Sequence, residues 1–459
     1  MQTHNQANTP LKIGIIGAGF SGAALAATFF RSANQPLEIY LFEKDPEFGL
    51  GEAYSTKFPF HWLNVRARDM SAFEDAPDHF VNWLKAQPDL SPYLSSDLPL
   101  PDQFISRLLY GKYVQDLIKQ FEQADGLVKL IKITDEVLAI QPGQQGGVLK
   151  LKNGADVTVD KIILAFGNHA PTTFKFPIDS SVTAINDPWN YAAIQAIPKD
   201  DAVAIIGTGL SMIDATLLLH HQQHLGPIYA ISRHGLLPLP HTDTHDQVPY
   251  VVPMQQLPTN IRQLAKWLRK EIRQHEKQGG DWRSVITAVR VHIPSIWKAA
   301  SLTDRKRFLR HVLPYWNVHR HRVHPAIAEL LANLSAKKQL KILAGRVIGT
   351  DHTGIIIQPR HDHRTQHLSV KWLINCMGPS LNIASVKQPL IVSILESKQA
   401  ILDPLNLGFA VTTTGALQTE NGPSTLLYTL GPPAKSATWE CNAVPEIRKQ
   451  IAELVSHII

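Results

Sequence analysis

Residues 12–22 read KIGIIGAGFSG and residues 203–211 read VAIIGTGLS. Each is a short β-branched run, then Gly-x-Gly, then small and apolar residues at helical spacing, AALAATFFR and MIDATLLLHH. A strand, a tight glycine turn and a helix N-terminus open a dinucleotide-binding βαβ unit. A second strand follows each, in LEIYLFEKD and IYAISRHG. Gly17 and Gly207 lie 190 residues apart, which makes this a pair of domains and not a short-period repeat. The expected fold is α/β, with two Rossmann-like dinucleotide-binding domains.

The first turn is a complete GxGxxG. Gly17 permits the turn, Gly19 lets the backbone approach a pyrophosphate, and Gly22 lets helix and sheet pack closely. Ser21, inside the loop, belongs to the same candidate site, as does Lys44 beside Glu43. Glu43 follows Gly17 by 26 residues at a strand end. A carboxylate there suits the two hydroxyls of an adenosine ribose and repels a 2′-phosphate. The second turn keeps Gly207, Gly209 and Ser211 but has Ser211-Met212 where the third glycine would fall. Its second strand ends in Ser232-Arg233-His234, with no acid. Arg233 suits a 2′-phosphate and Ser232 can hydrogen-bond it; the plain alternative is a solvated strand-end arginine. Opposite strand-end chemistry implies two cofactors, FAD in the first domain and NADPH in the second.

Elsewhere, 77–85 and 107–122 read as helices. Residues 127–133, 147–152 and 157–165 alternate as strands, with Asn153-Gly154 a hairpin signal. Residues 172–200 form a Pro-bearing connection, strands resume at 340–357 and 368–376, and 443–457 is a final helix with Pro445 near its start. The expected domains are a discontinuous FAD-binding domain, 1–180 and 380–459, and an NAD(P)-binding domain, 195–379, carrying a helical insertion at about 255–337.

Composition excludes several classes. The chain has 459 residues, 44% hydrophobic and 18% charged, which is globular. No apolar run reaches the roughly 18 residues of a membrane span. The opening MQTHNQANTP lacks a basic and an apolar signal region, so the cytoplasm is the expected compartment. Cys376 and Cys441 form no CxxC, which argues against a dithiol redox pair. A net charge of +6 is modest on this length, and no Lys/Arg stripe with interleaved aromatics points to nucleic acid. Histidines group at 220/221/224, 241/245, 319/321/324 and 361/363/367, but none has zinc-ligand spacing. Arg310, Arg320 and Arg322 would repel a cation at the third group, so no metal is expected. A solvated or salt-bridged helix end is the plain reading of these arginines, and a basic wall facing an anionic substrate or an NADPH phosphate the alternative. No Gly-x-Ser-x-Gly elbow or Walker A loop occurs.

The chain resembles two-dinucleotide flavoproteins such as the flavin-containing and N-hydroxylating monooxygenases. Beside the two turns it has strand-plus-turn links at ILAFGNHAP, with Gly167, and INCMGPS, with Gly378, where those proteins usually have Ala-Thr-Gly. It resembles more closely the bacterial FAD-NAD(P)-binding family that includes FAD-dependent urate hydroxylases. That likeness lies in GLGEAYST (49–56), HWLNVRARDMSAF (61–73), FISRLLYGKY (104–113), GTGLSMIDA (207–215), ISRHGLLPLPH (231–241), DWRSVITAVR (281–290), FLRHVLPYWNVHRHR (308–322) and LGPPAKSATWECNAVPEIR (430–448). The resemblance implies that Gly49, Gly51, Tyr54 and Ser55 continue from the FAD ribose strand. It implies that Asn64 and Met70-Ser71 line the flavin, and that Arg107 reaches a cofactor phosphate or adenine. Gly431-Pro432, Trp439 and Glu440 would return at the flavin ring, ahead of a helix whose N-terminus stabilises the reduced flavin. The plain alternatives are a core aromatic for Trp439 and a surface salt bridge for Arg107. The implied activity is oxidoreduction, with hydride passing from NADPH to FAD. The leading reading is a monooxygenase or hydroxylase of a small molecule. The alternatives are a flavin reductase or dehydrogenase, and a cofactor-binding regulatory protein with little turnover.

Overall fold

A computed structural model describes residues 9–122, 126–242, 248–362 and 364–459. The chain divides into two compact units, Met1–Asn168 with Leu381–Ile459, and His169–Ser380.

In the first unit, the strand Leu11–Ile16 runs parallel to Leu37–Glu43 on one side and Lys161–Leu164 on the other. Val128–Thr134 extends this sheet beyond Leu37–Glu43. Gly422–Thr429 adds in parallel beyond Lys161–Leu164, and Ala416–Thr419 closes the edge antiparallel. Ile13, Ile15 and Ile163 on one face and Ile162 and Leu164 on the other are fully buried, as strands covered on both faces require. The helix Phe20–Ser32 carries Ala23, Ala24, Ala26 and Ala27, all buried. Small side chains let it lie close to the sheet, packed by Arg107–Glu122 and the final helix Val444–Ile458. Val137–Pro142, Gly147–Leu151 and Asp156–Val159 form a separate antiparallel sheet.

In the second unit, Val203–Ile206 lies between Ile228–Ser232 and Trp372–Asn375, all parallel, with Thr183–Ile185 at one edge. Leu340–Asp351 pairs parallel with Ile228–Ser232 and continues into an antiparallel ladder with Gly354–Pro359 and Gln366–Leu368. The insertion is helical: Ile261–Lys277, Trp282–Arg290, Ile293–Ala299, Leu302–Arg307, Leu313–Arg320 and Pro325–Ala336. Asn260, Asp281 and Ser301 each accept a backbone N–H of the helix they cap, a start signal written in the sequence.

The α/β expectation of two parallel-sheet units, the second inserted in the first, therefore holds. Some element boundaries differ. The run 157–165 is two strands, broken at Asp160. Its carboxylate accepts the Lys12 N–H and its own N–H donates to the Lys12 carbonyl, both at 2.8 Å, so the chain changes sheets there. The run 340–357 is broken by a turn ending at Gly354 (φ +147°), where a Cβ would lie 2.1 Å from the Leu368 carbonyl oxygen. The connection 172–200 holds a strand and the short helix Tyr191–Gln195, capped by Asn190.

His224, just past the helix Leu210–His221, is buried, and neither ring nitrogen has a hydrogen-bond partner among the described residues. Loss of hydration holds its pKa below the ordinary 6.5, against the pull of Asp200 and Asp201. The folded state thus keeps the ring neutral. The stability this contributes is complete above the unfolded value and is lost as pH falls below it. The fall in denaturation midpoint between about pH 7.5 and about pH 5.5 should be smaller in His224→Leu than in the wild type. An unchanged fall would remove His224 from the acid response.

Candidate functional site

Gly17 adopts φ +100°, and a Cβ there would lie 2.7 Å from the Ala165 carbonyl oxygen. A Cβ on Gly22 would stand 1.9 Å from the Gly17 carbonyl oxygen. The first helix therefore begins directly at the strand end, bare backbone against bare backbone. Gly19 is its N-cap, and among the described residues no side chain caps it and no acid lies in its first turn. Unused N–H groups with the positive end of the helix dipole behind them suit a pyrophosphate. Room for one is built the same way, because a Cβ on Gly19 would meet nothing nearer than the Gly51 Cα at 3.3 Å.

Glu43 is fixed by two backbone donors: Ala18 N–H at 2.8 Å and Lys44 N–H at 3.0 Å. Its carboxylate is thus held beside the turn, while the Lys44 side chain is exposed. The C-terminal return reaches the same place. Gly431 (φ +70°) donates its N–H to Gln450 Oε1 at 2.8 Å, and a Cβ on it would lie 3.3 Å from Ser21 Oγ. Gly167 (φ +75°) follows the strand that packs on Gly17 and has open space at its Cβ position.

Gly49 lies against Gln115 and Gly51 against Gly19. The Tyr54 ring packs against Tyr110, tilted by 58°, with ring centroids 4.7 Å apart. Enclosure raises its phenol pKa, with the Arg107 guanidinium pulling the other way, which puts Arg107 near that ring. Arg107 opens its helix and donates its N–H to the His61 carbonyl at 2.7 Å. Asn64 is half-buried in the adjoining segment. Ser71 is fully buried, its hydroxyl donating to the Ala76 carbonyl at 2.6 Å, so it holds its own turn and offers no exposed group.

Trp439 is buried at φ +57°, a left-handed backbone rare for a bulky residue. The Lys435 ammonium lies 5.0 Å from its ring centroid. Glu440 beside it is also buried. Burial pushes the Cys441 thiol up to about 12 and the Cys376 thiol higher, so neither supplies a thiolate near neutral pH.

In the second unit, Gly207 adopts φ +113°, and a Cβ would lie 1.9 Å from the Cys376 carbonyl oxygen. This fixes the link bearing Gly378 (φ +80°) beside the turn. Gly209 caps the helix Leu210–His221 with nothing within 4 Å of its Cβ position. Ser211 is half-buried in the first turn, and buried Met212 takes the place held by Gly22 in the first unit. Arg233 is exposed and makes no hydrogen bond or ion pair among the described residues. Ser232 is committed inward. Its oxygen accepts the Gly235 N–H at 3.0 Å and lies 2.9 Å from Thr208 Oγ1. Thr208 also reaches the Leu236 carbonyl at 2.6 Å. A carbonyl only accepts, so the single Thr208 proton goes there and the Ser232 proton closes the Thr208–Ser232 contact. Thr208 and Gln450, absent from the sequence reading, thus brace the two sites. Thr208 lies openly between the glycines, whereas nothing local marks Gln450. Of the grouped histidines, His245 and His363 lie outside the described residues.

Residues 14–169 match the family model described as FAD-NAD(P)-binding. No curated protein matches the sequence. Among solved structures, the chain is similar to ornithine N-hydroxylase from Kutzneria sp. 744, described with reduced FAD, NADP+ and L-ornithine. The identity is 13%, with 98% of this chain and 99% of that one covered, at a TM-score of 0.65. L-lysine 6-monooxygenase from Pseudomonas syringae is 14% identical over 97% and 98% of the two chains, TM-score 0.65. Thioredoxin reductase from T. acidophilum is 12% identical over 97% and 98%, TM-score 0.51. At these identities the likeness is one of fold, and it is the two-dinucleotide fold read from the glycine turns. Among the described residues, no helix is long and apolar enough to cross a membrane.

The two turns separate packing from ligand room. Gly22→Ala must push helix from strand, costing about 1–3 kcal/mol of overpacking and releasing a first-site ligand. Gly209→Ala meets no protein atom and should leave the denaturation midpoint unchanged while weakening NADPH. Equal effects of the two on stability would overturn this distinction.

Proposed function

We propose that this chain is an FAD-dependent oxidoreductase that takes its reducing equivalents from NADPH and acts as a monooxygenase or hydroxylase of a small molecule in the cytoplasm. FAD belongs to the discontinuous domain, 1–180 and 380–459, and NADPH to 195–379. The observation that carries the reading is the pair of glycine turns with opposite strand-end chemistry: Glu43 tied to the first and, at the second, an exposed Arg233 with no hydrogen bond or ion pair among the described residues. The family description of residues 14–169 supports the cofactor pair. The whole-chain likeness to amine N-hydroxylases favours the oxygenase over other flavoproteins.

FAD, when bound, supplies the redox chemistry, accepting hydride and, once reduced, activating dioxygen. The chain's own residues bind and orient. Unpaired N–H groups behind Gly19 would take the pyrophosphate, and Glu43 would take the ribose hydroxyls. Gly431 and the buried Trp439–Glu440 step would bound the flavin end. In the second unit, N–H groups behind Gly209 would take the nicotinamide dinucleotide's pyrophosphate, and Arg233 its 2′-phosphate. The likeness to thioredoxin reductase does not favour a dithiol enzyme, because no CxxC exists and both thiols are buried and protonated.

The purified protein should carry or take up flavin, and anaerobic NADPH should bleach its visible absorbance. Readmitted air should then give a transient flavin–oxygen spectrum before reoxidation. Reoxidation without that transient would favour a reductase, and no bleaching at all a regulatory protein. Arg233→Ala should weaken NADPH by roughly 1.5–3 kcal/mol and NADH far less; equal losses would remove the NADPH preference.

A further inference from the structure

The second strand end carries more positive charge than Arg233 alone. Arg360 follows the strand Gly354–Pro359, far along the chain, yet its guanidinium hydrogen-bonds His234 Nδ1. Its N–H donates to the Ala344 carbonyl at 2.9 Å, and Ala344 also packs on Gly235, within 3.2 Å of where its Cβ would be. These contacts fix the end of the hairpin against the loop after Ser232. Neither Arg233 nor Arg360 is paired with a carboxylate among the described residues. Both raise the positive potential at His234: loss of hydration first, then Arg360 and Arg233, keep that imidazole deprotonated.

A guanidinium has five donors and no acceptor, so His234 Nδ1 must accept. The ring proton then sits on Nε2, which is left as a donor. The exposed ring of Tyr315 lies 5.6 Å from the His234 ring. Two guanidinium groups that pair with no carboxylate among the described residues, one N–H donor and one aromatic face suit a phosphomonoester on an aromatic nucleoside. The inward commitment of Ser232 leaves that phosphate in need of another partner.

We infer that Arg360, positioned by His234, is the second specificity-determining cation for the adenosine 2′-phosphate, and that Tyr315 offers the adenine a stacking face. The assignment rests on the reading of the second unit as an NADPH site, and it can fail separately from that reading. The probes are 2′,5′-ADP and 5′-AMP, which carry the adenosine end with and without the 2′-phosphate. Binding is measured by calorimetry on the full-length flavin-loaded protein, with no turnover needed.

The wild type should prefer 2′,5′-ADP. Arg360→Gln should cut that preference by about tenfold, as loss of one charge-assisted contact does, without weakening 5′-AMP. Tyr315→Ala should weaken both nucleotides alike. His234→Leu should lose part of the preference, and His234→Gln, whose amide oxygen still accepts from Arg360, should regain it. Arg364→Gln, an exposed arginine already paired with Asp362 at 2.9 Å, should change nothing. A wild type that discriminates while Arg360→Gln discriminates equally well would overturn the assignment and leave the NADPH reading standing. A wild type that binds neither probe would overturn both.

Discussion

The contact on which the first site depends is between two backbones. The Gly17 carbonyl occupies the space a side chain at position 22 would need, with 1.9 Å separating them. Helix and strand can meet that closely only where both are bare. Because they do, the helix starts at the strand end, its first N–H groups face outward, and Ala18 falls within 2.8 Å of the Glu43 carboxylate. One close approach thereby sets the pyrophosphate cradle and the ribose acceptor together. The second turn solves the same problem at a different point. Gly207 is squeezed against the Cys376 carbonyl, from the neighbouring strand, and buried Met212 fills the place of the third glycine. The loss of that glycine does not unmake the turn, because the crowding has moved to the strand alongside.

Charge at the strand end then separates the two sites. A carboxylate about 4 Å from a phosphate costs on the order of 4 kcal/mol at an effective dielectric of about 20. A typical hydrogen bond returns only about 1 kcal/mol net. Repulsion therefore outweighs any single compensating contact, and Glu43, immobilised by two backbone donors, cannot swing away at no cost. Arg233 has the opposite character. It is exposed and spends none of its donors on the described residues, so a phosphate need break no contact among them to reach it.

What was legible in the sequence is what repeats locally. Gly17, Gly19, Gly22 and Gly207 announce themselves by spacing, and the strands and helices beside them follow from apolar period. Asp160 was not legible as a break, because its effect depends on Lys12, distant in sequence and adjacent in the sheet. The inward commitment of Ser232 depends on the Leu236 carbonyl and the Gly235 N–H, geometry that residue type does not encode. Gln450 and Arg360 are polar residues on unremarkable stretches, and only tertiary folding brings them to Gly431 and His234. Local chemistry thus identifies which cofactors a turn can hold, and long-range packing decides which further side chains reach them.

The C-terminal return carries strain where the first unit closes. A bulky residue in the left-handed region costs of order 1–3 kcal/mol and persists only when its surroundings over-determine it. Trp439 meets that condition. Its indole is buried, the Lys435 ammonium lies over the ring, and its N–H donates to the Lys435 carbonyl at 3.0 Å. The reversal it enforces carries the chain to Cys441, whose carbonyl oxygen lies 3.9 Å from the Cβ position of Gly431. Gly431 in turn faces Ser21 on the first helix. A relaxed backbone at 439 would redirect this path and separate the C-terminal segment from the glycine turn. The strain at Trp439 therefore belongs to the same construction as the bare contact between Gly17 and Gly22, since one brings the helix to the strand and the other brings the chain's end to the helix.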